Sequence, residues 1–221
     1  MSKNVLITGS ASGIGLALVR NYLSQGDSVF AVARKVTDEL TATEATIIDG
    51  VDVAIPSSLS KITEAINDQP IDIVINCAGI LSNETLDDLD YDRIEAQWQV
   101  NTLGPLRVTE TVLPNLASGS KIAMITSRMG SIEDNTSGSR YGYRVSKAAL
   151  NAISKSLSID LKPKGIAVAI LHPGLVSTKM IQGQGDIPPE GAASRLVERI
   201  NDLTLENTGT FWHSNGEILP W

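Results

Sequence analysis

The chain has 221 residues, 42% of them hydrophobic and 19% charged, and carries a formal net charge of −7. That length supports one α/β domain with a full core and is short for two, so residues 1–221 are read as a single domain. The acidic balance argues against a nucleic-acid or anionic-membrane surface as partner.

Apolar runs of strand length alternate with helix-like segments almost from end to end. Val5–Thr8 reads as a first strand, and Ile14–Gln25 as a helix closed by Gly26. Ser28–Ala33 and Ala45–Asp49 follow as strands, separated by a stretch (34–46) with room for at most one helical turn. Ser57–Asn67 is helical in pattern and Ile71–Asn76 a fourth strand. Tyr91 to about Leu116 reads as a long helix, interrupted around Gly104-Pro105 because proline removes a helical donor. Ser120–Thr126 is a fifth strand, Tyr141–Leu161 a helix and Ile166–Leu171 a sixth strand. After a patternless Ser177–Pro189, read as either a lid over a site or a plain connection, come a last helix (Glu190–Leu205) and a short strand (Thr210–His213). Near-continuous Val/Ile runs separated by helices predict a doubly wound α/β domain, a parallel sheet of about seven strands covered on both faces.

A single cysteine, Cys77, allows no disulfide within the chain, and the opening residues lack a signal-peptide pattern. No run of about 18 apolar residues occurs, so no membrane span is expected and the setting is read as cytoplasmic.

The chemistry-bearing residues fall at the ends of the predicted strands. Thr8-Gly9-Ser10-Ala11-Ser12-Gly13-Ile14-Gly15 joins the first strand to the first helix. Glycines there let the backbone turn tightly and approach a pyrophosphate, while the helix start offers free N–H groups. The second strand ends in Arg34 and Lys35, where a carboxylate would bind both ribose hydroxyls of NAD and repel a 2′-phosphate. Two cations and no acid favour NADP(H) over NAD(H). Asp52 and Val53 follow the third strand, beside the expected adenine. Asn76 closes the fourth strand, and Ala78 and Gly79 beyond it leave room for a cofactor. Cys77 is read as a small apolar residue rather than a nucleophile. Asn101 interrupts the long helix, Ser127 ends the fifth strand and His172-Pro173-Gly174 ends the sixth, with His172 read as structural.

Tyr143 and Lys147 lie one helical turn apart and share a face. A lysine charge about 5 Å from a phenolate is worth about 3 kcal/mol at an effective dielectric of about 20. That is enough to pull the phenol pKa down by roughly two before desolvation opposes it. Such a pair makes a tuned acid/base. Tyr-x-x-x-Lys is common by chance, and it is the convergence of all these residues on one sheet edge that carries weight.

In order and spacing, Thr8-Gly-x-x-x-Gly-x-Gly15, Asn76-x-Ala-Gly79, Asn101, Ser127, Tyr143-x-x-x-Lys147 and Pro173-Gly174 resemble the short-chain dehydrogenase/reductase family. The resemblance covers essentially the whole chain. Ser127-Arg-Met-Gly-Ser-Ile132 and the ending Gly209-Thr-Phe-Trp…Gly216-Glu-Ile-Leu-Pro-Trp221 are further similar to its C-factor and sniffer-type carbonyl reductases. It implies an NADP(H)-dependent reduction of a ketone or aldehyde, or oxidation of the alcohol. Tyr143 would be the general acid/base, with Lys147 lowering its pKa and holding the nicotinamide ribose. Ser127 would hydrogen-bond the substrate oxygen and Asn101 support a water-mediated proton relay. Gly9, Ser12, Gly13, Ile14, Gly15, Pro173, Gly174, Val176 and Thr178 would contact the cofactor, Thr178 at its carboxamide. No metal is implied. Ala148, Ala149 and Ala152 allow close helix packing, and a homodimer or homotetramer is expected.

The sequence departs from the family pattern in places. Cys77 stands where a second asparagine is commonest, and Ser12 occupies a loop position often basic in NADP(H) enzymes. Ser127 precedes Tyr143 by sixteen residues, longer than usual, with Glu133–Arg140 as the apparent insertion and Ser131 as a second candidate for the serine role. A dinucleotide-binding regulatory protein with vestigial catalysis is the rival reading. A sugar-nucleotide epimerase would need a larger segment after Gly174.

Overall fold

The structure, a computed structural model, describes residues 2–221. Seven strands form one parallel sheet in the order β3-β2-β1-β4-β5-β6-β7. They are β1 (Asn4–Thr8), β2 (Ser28–Val32), β3 (Thr46–Ile48), β4 (Ile73–Asn76), β5 (Lys121–Ile125), β6 (Ala167–His172) and β7 (Phe211–His213). The helices are α1 (Gly13–Ser24), α2 (Asp38–Thr41), α3 (Ser60–Ile66), α4 (Tyr91–Trp98), α5 (Gly104–Val112), α6 (Tyr141–Leu161) and α7 (Pro189–Asn201).

Strand period sets the two layers. Successive side chains point to opposite faces, so Val5 and Ile7 of β1 pack with Leu18, Tyr22, Leu196 and Ile200 of α1 and α7. Leu6, between them, joins Ile62, Val108 and Leu150 of α3, α5 and α6 on the other face. Both faces of the sheet are therefore buried, which explains why its strands read as unbroken apolar runs.

Winding reverses between β1 and β4. The chain runs outward through β2 and β3, then returns to place β4 on the other side of β1, with Val5 opposite Ile73. In such sheets a crevice opens where the order reverses, at the carboxyl ends of the strands. All seven strands are parallel, so Thr8, Asn76, Ile125 and His172 finish on that same edge.

Two helices depart from the sequence expectation, and the 34–46 stretch follows it. The long helix breaks into α4, a π-helical turn over Gln99–Leu103, and α5. An α-helix would set the ring of Pro105 against the carbonyl of Asn101, and the wider turn relieves that clash. The last helix ends at Asn201 rather than Leu205; Leu203 still enters the core, but from a turn, which is why the apolar period overran the helix. The 34–46 stretch contains the single short turn α2, capped by Thr37, whose side chain accepts from the Leu40 N–H. Among the described residues, no helix is long and apolar enough to cross a membrane.

Candidate active site

Two adjoining cavities open along the sheet edge and share Ile14, Thr178 and Met180 as a common wall. The first, of about 520 Å³, lies across the β1–β4 switch point. Its floor is backbone. Gly9 has φ +71°, and a Cβ there would stand 2.8 Å from the Ala78 Cα. A Cβ on Gly15 would stand 2.1 Å from the Gly9 carbonyl oxygen. No side chain fits at either place, so glycine is what allows the β1 loop to close against both the β4 loop and its own helix. Thr8 ties the two loops together, its hydroxyl accepting from the N–H groups of Cys77 (3.1 Å) and Ala78 (3.2 Å). Thr37 donates to the Ala11 carbonyl at 2.8 Å and steadies the loop from outside.

Ser12, Gly13, Ile14, Gly15, Arg34, Lys35, Asp52, Val53, Ala78 and Gly79 all line this cavity. Arg34 sits 3.8 Å from Asp52 with 72% of its side chain exposed. A pair so open to water is worth little, and the guanidinium remains free to meet another anion. Asn76 lies elsewhere: it is buried, its amide turned toward Thr109 and the Met124 sulfur, both at 3.4 Å. Cys77 reaches the cavity wall, but burial pushes its thiol up to about 12, well away from a nucleophilic thiolate.

The second cavity, of about 480 Å³, is lined by residues from the segment after β5, the 131–140 loop, α6, and the end of β6 with the segment beyond it. Ser127, Tyr143, Pro173, Gly174 and Val176 line it, and Thr178 lines both cavities. Ser131 is turned away from it. Its hydroxyl donates to the Trp221 carbonyl at 3.0 Å and accepts from the Asp134 N–H at 3.0 Å, leaving Ser127 as the serine beside Tyr143. The Trp221 carbonyl also accepts from the N–H groups of Ile132 (3.0 Å) and Glu133 (2.9 Å), so the chain end braces this loop. The segment 177–189 runs over both cavities. A parallel bridge from Val176 to Ile187 and a bond from the Ser177 hydroxyl to the Gly183 carbonyl (2.7 Å) tie it down.

Lys147 is buried, and its ammonium donates to the Ile125 carbonyl at 2.9 Å, 5.7 Å from the Tyr143 ring centre. It approaches the first cavity from behind Gly79, where a Cβ would stand 3.8 Å from Nζ. Asn101 is fully buried behind the same wall. Its Oδ1 accepts from the Ile80 N–H (2.8 Å), while Nδ2 donates to the Ile80 carbonyl (2.9 Å) and the Ser146 hydroxyl (3.0 Å). The polar residue that interrupts the helix pattern thus fixes the β4 loop to α6.

The electrostatics differ from the simple pair. Burial raises the Tyr143 pKa, and the opposing influences are the hydrogen bond from Ser127 and the positive charge of Arg140. Lys147 is itself held down to about 8 by burial and still carries its charge at neutrality, but it is not among the groups that shift the Tyr143 phenol. Arg140 carries no motif and went unnoticed in the sequence. His172 lines the second cavity with its Nδ1 unpartnered and its ring edge-on to His213 at 4.9 Å. Burial, His213 and Arg128 hold it down to about 3, so it is neutral at physiological pH. Among the described residues no cluster of metal-ligating side chains occurs.

A doubly wound fold with a backbone-floored groove at its switch point and a Ser–Tyr–Lys group beside it defines a dinucleotide-type oxidoreductase architecture. The short chain dehydrogenase family model matches residues 3–187. The chain is 38% identical over 223 residues, 98% of its own length and 99% of the relative's, to 1-hydroxy-2-glutathionyl-2-methyl-3-butene dehydrogenase of Rhodococcus sp. (strain AD45). It is 41% identical over 155 residues to C-signal of Myxococcus xanthus, covering 69% of this chain and 93% of that one. Its fold superposes with a TM-score of 0.90 on the crystal structure of NADPH-bound carbonyl reductase from chicken fatty liver, at 25% identity over 100% and 99% of the two chains. The chain belongs to the short-chain dehydrogenase/reductase family and is an oxidoreductase.

Proposed function

We propose that this chain is an NADP(H)-dependent oxidoreductase that interconverts a ketone or aldehyde with its alcohol, with Tyr143 as general acid/base. The observation that carries the reading is the shared wall of the two cavities, with the hydroxyls of Ser127 and Tyr143 facing the second and Lys147 behind the first. The first cavity suits a dinucleotide: its glycine floor leaves no Cβ in the way, and Arg34 and Lys35 stand at its rim without a carboxylate partner closer than Asp52. Gly9 through Gly15 would hold the pyrophosphate, Arg34 and Lys35 the 2′-phosphate, Asp52 and Val53 the adenine side, and Thr178 the carboxamide. When bound, the nicotinamide supplies or accepts the hydride. The Ser127 hydroxyl orients the substrate oxygen, and Tyr143 gives that oxygen its proton or removes it. The relatives agree in kind, one being named as the dehydrogenase of a glutathionyl-bearing hydroxy compound and one as an NADPH-bound carbonyl reductase.

The test is parallel calorimetric titration with NADPH and NADH, followed by an NADPH-oxidation screen over aldehydes and ketones. Tighter NADPH binding and turnover of at least one carbonyl compound are expected. Binding without turnover of any of them would favour a second reading, a dinucleotide-binding regulatory protein, which the likeness to C-signal supports. A homo-oligomer built through α6 belongs to the same proposal. Val145 and Ile159 are exposed on that helix, and Ala148, Ala149 and Ala152 are not fully covered by the sheet. Equilibrium sedimentation should then show no monomer at micromolar concentration.

A further inference from the structure

The chain has a net charge of −7, yet three arginines, Arg128, Arg140 and Arg144, line the second cavity against the single carboxylate of Asp134. Arg128 is neutralised: it pairs with Asp134 at 3.3 Å and with Glu217 at 3.0 Å. The other two make no ion pair among the described residues. Arg140 donates from Nε to Asn83 Oδ1 (2.9 Å) and points Nη1 at the Met129 sulfur (3.6 Å). Arg144 donates from Nε to the carbonyls of Gly138 (3.2 Å) and Ser139 (3.1 Å) and from Nη2 to the Ser137 hydroxyl (2.8 Å). These acceptors are neutral. They fix the guanidinium groups in place without cancelling their charge.

Both arginines stand at the start of α6, where the helix dipole is positive and the first turn holds no acid. The nearest buried carboxylate, Glu84, accepts from the Gly142 N–H at 3.2 Å and from the Gln97 amide at 3.0 Å, and pairs with neither guanidinium. The surplus charge registers on the cavity wall: Arg140 pulls the Tyr143 pKa down against burial. Two fixed, uncompensated guanidinium groups on the lining of one cavity offer donors and charge to an oxyanion.

We infer that the substrate of this chain is a carbonyl compound, or its alcohol, that carries a carboxylate or phosphate a few atoms from the reacting carbon, held by Arg140 and Arg144. The inference rests on the carbonyl–alcohol chemistry proposed above. With the reacting oxygen at Ser127 and Tyr143, the anion lies along the first turn of α6, on the arginine side of the same cavity.

The experiment compares para-carboxybenzaldehyde, its methyl ester and para-formylphenyl phosphate in the wild type, Arg140→Gln, Arg144→Gln and Arg140→Lys. The quantity read is the ratio of kcat/KM for an anion to that for the ester, so any general loss from a disturbed loop cancels. The wild type is expected to prefer at least one anion, with a KM for it that rises with ionic strength while that of the ester does not. Each Gln variant should lower the ratio about tenfold, and the Lys variant less, because the charge survives without the fork. The better of the two anions identifies the group. Equal turnover of acid, phosphate and ester, or an equal fall for all three in the variants, overturns the inference while leaving the carbonyl reductase reading intact. Calorimetric binding of terephthalate and of phenyl phosphate provides a readout that needs no turnover. At least one should bind and lose about tenfold in affinity in the Gln variants. Absent or unchanged binding of both overturns the inference even if no carbonyl compound is reduced.

Discussion

The two cavities on this sheet edge are built by opposite means. The first is a backbone surface. Its shape depends on Gly9 and Gly15 having no Cβ, on the Thr8 hydroxyl pinning the β4 loop, and on the winding reversal between β1 and β4. The second is a side-chain surface assembled from the segment after β5, the 131–140 loop, α6, and the end of β6 with the segment beyond it. Its wall holds Tyr143 and His172, two groups whose protonation burial shifts against the charged form. A backbone site needs a few residues close in sequence and constrains what may bind. A side-chain site draws on distant segments and decides what happens to the bound molecule.

If that division holds, the largest effect of a single atom belongs to the second cavity. Tyr143→Phe removes one hydroxyl and should lower kcat about a thousandfold, within the range for loss of a positioned general acid. NADPH affinity, measured by titration, should stay within a few-fold of wild type. Loss of cofactor binding with turnover per bound cofactor preserved would show that the two cavities are not separable in this way.

The converse change sits on the rim of the first cavity. Arg34→Glu places a carboxylate where a 2′-phosphate would be met and gives up only the loose, exposed pair with Asp52. Losing one charge-assisted contact and gaining a repulsion should cut the ratio of NADPH to NADH affinity by about a hundredfold, while kcat at saturation changes little. A ratio unmoved by the substitution would mean that Arg34 is only a solvated surface charge.

The same contrast explains what could be read from the chain alone. Seven apolar runs and the Gly9–Gly15 spacing are local patterns, so the parallel sheet and its crevice were visible, as was the single turn of α2. Asn101 was conspicuous because a polar residue broke an apolar helix, although its hydrogen bonds to Ile80 were not. What stayed hidden has no local pattern. Trp221 holds the loop at Ser131 from ninety positions away along the chain, and Arg140 and Arg144 look like ordinary surface charges until the fold turns them into one cavity. The strength of the Tyr143–Lys147 pair was overstated for a related reason: i, i+4 spacing gives proximity, whereas burial, which here acts against both charged forms, is a property of the whole fold.

Burial of His172 yields a smaller effect, readable in stability. Its folded pKa, about 3, lies below the ordinary value of 6.5, so as pH falls the unfolded chain takes up a proton that the folded protein refuses. Stability supplied by the neutral ring is complete above that ordinary value. It is lost at about 1.4 kcal/mol per pH unit on the way down, or about 2 kcal/mol by pH 5. Urea titrations of wild type and His172→Phe over the mildly acidic range, above most carboxylate pKa values, should give a flatter profile for the variant. Parallel profiles would place the acid sensitivity in other groups.

The smallest expected effect is the one that separates function from stability most cleanly. Lys147 has a folded pKa of about 8, below the ordinary 10.5, so near neutrality the folded protein carries a charge it binds less favourably than the unfolded chain does. That disadvantage is fully present below pH 8 and is relieved as pH rises through the window from 8 to 10.5. Lys147→Met removes the buried ammonium but leaves the Ile125 carbonyl without its 2.9 Å donor, which offsets part of the gain. The net expectation at neutral pH is a stabilisation of about 1 kcal/mol, a rise in Tm of about 2–4 °C for a domain of this size. Carbonyl turnover should fall steeply in the same variant. A lysine that weakens the fold and is nevertheless held behind the first cavity would be there for what it does to a bound molecule. Should the variant prove less stable than wild type at neutral pH, Lys147 would instead be a structural tie between α6 and β5, and the pairing with Tyr143 would owe nothing to catalysis.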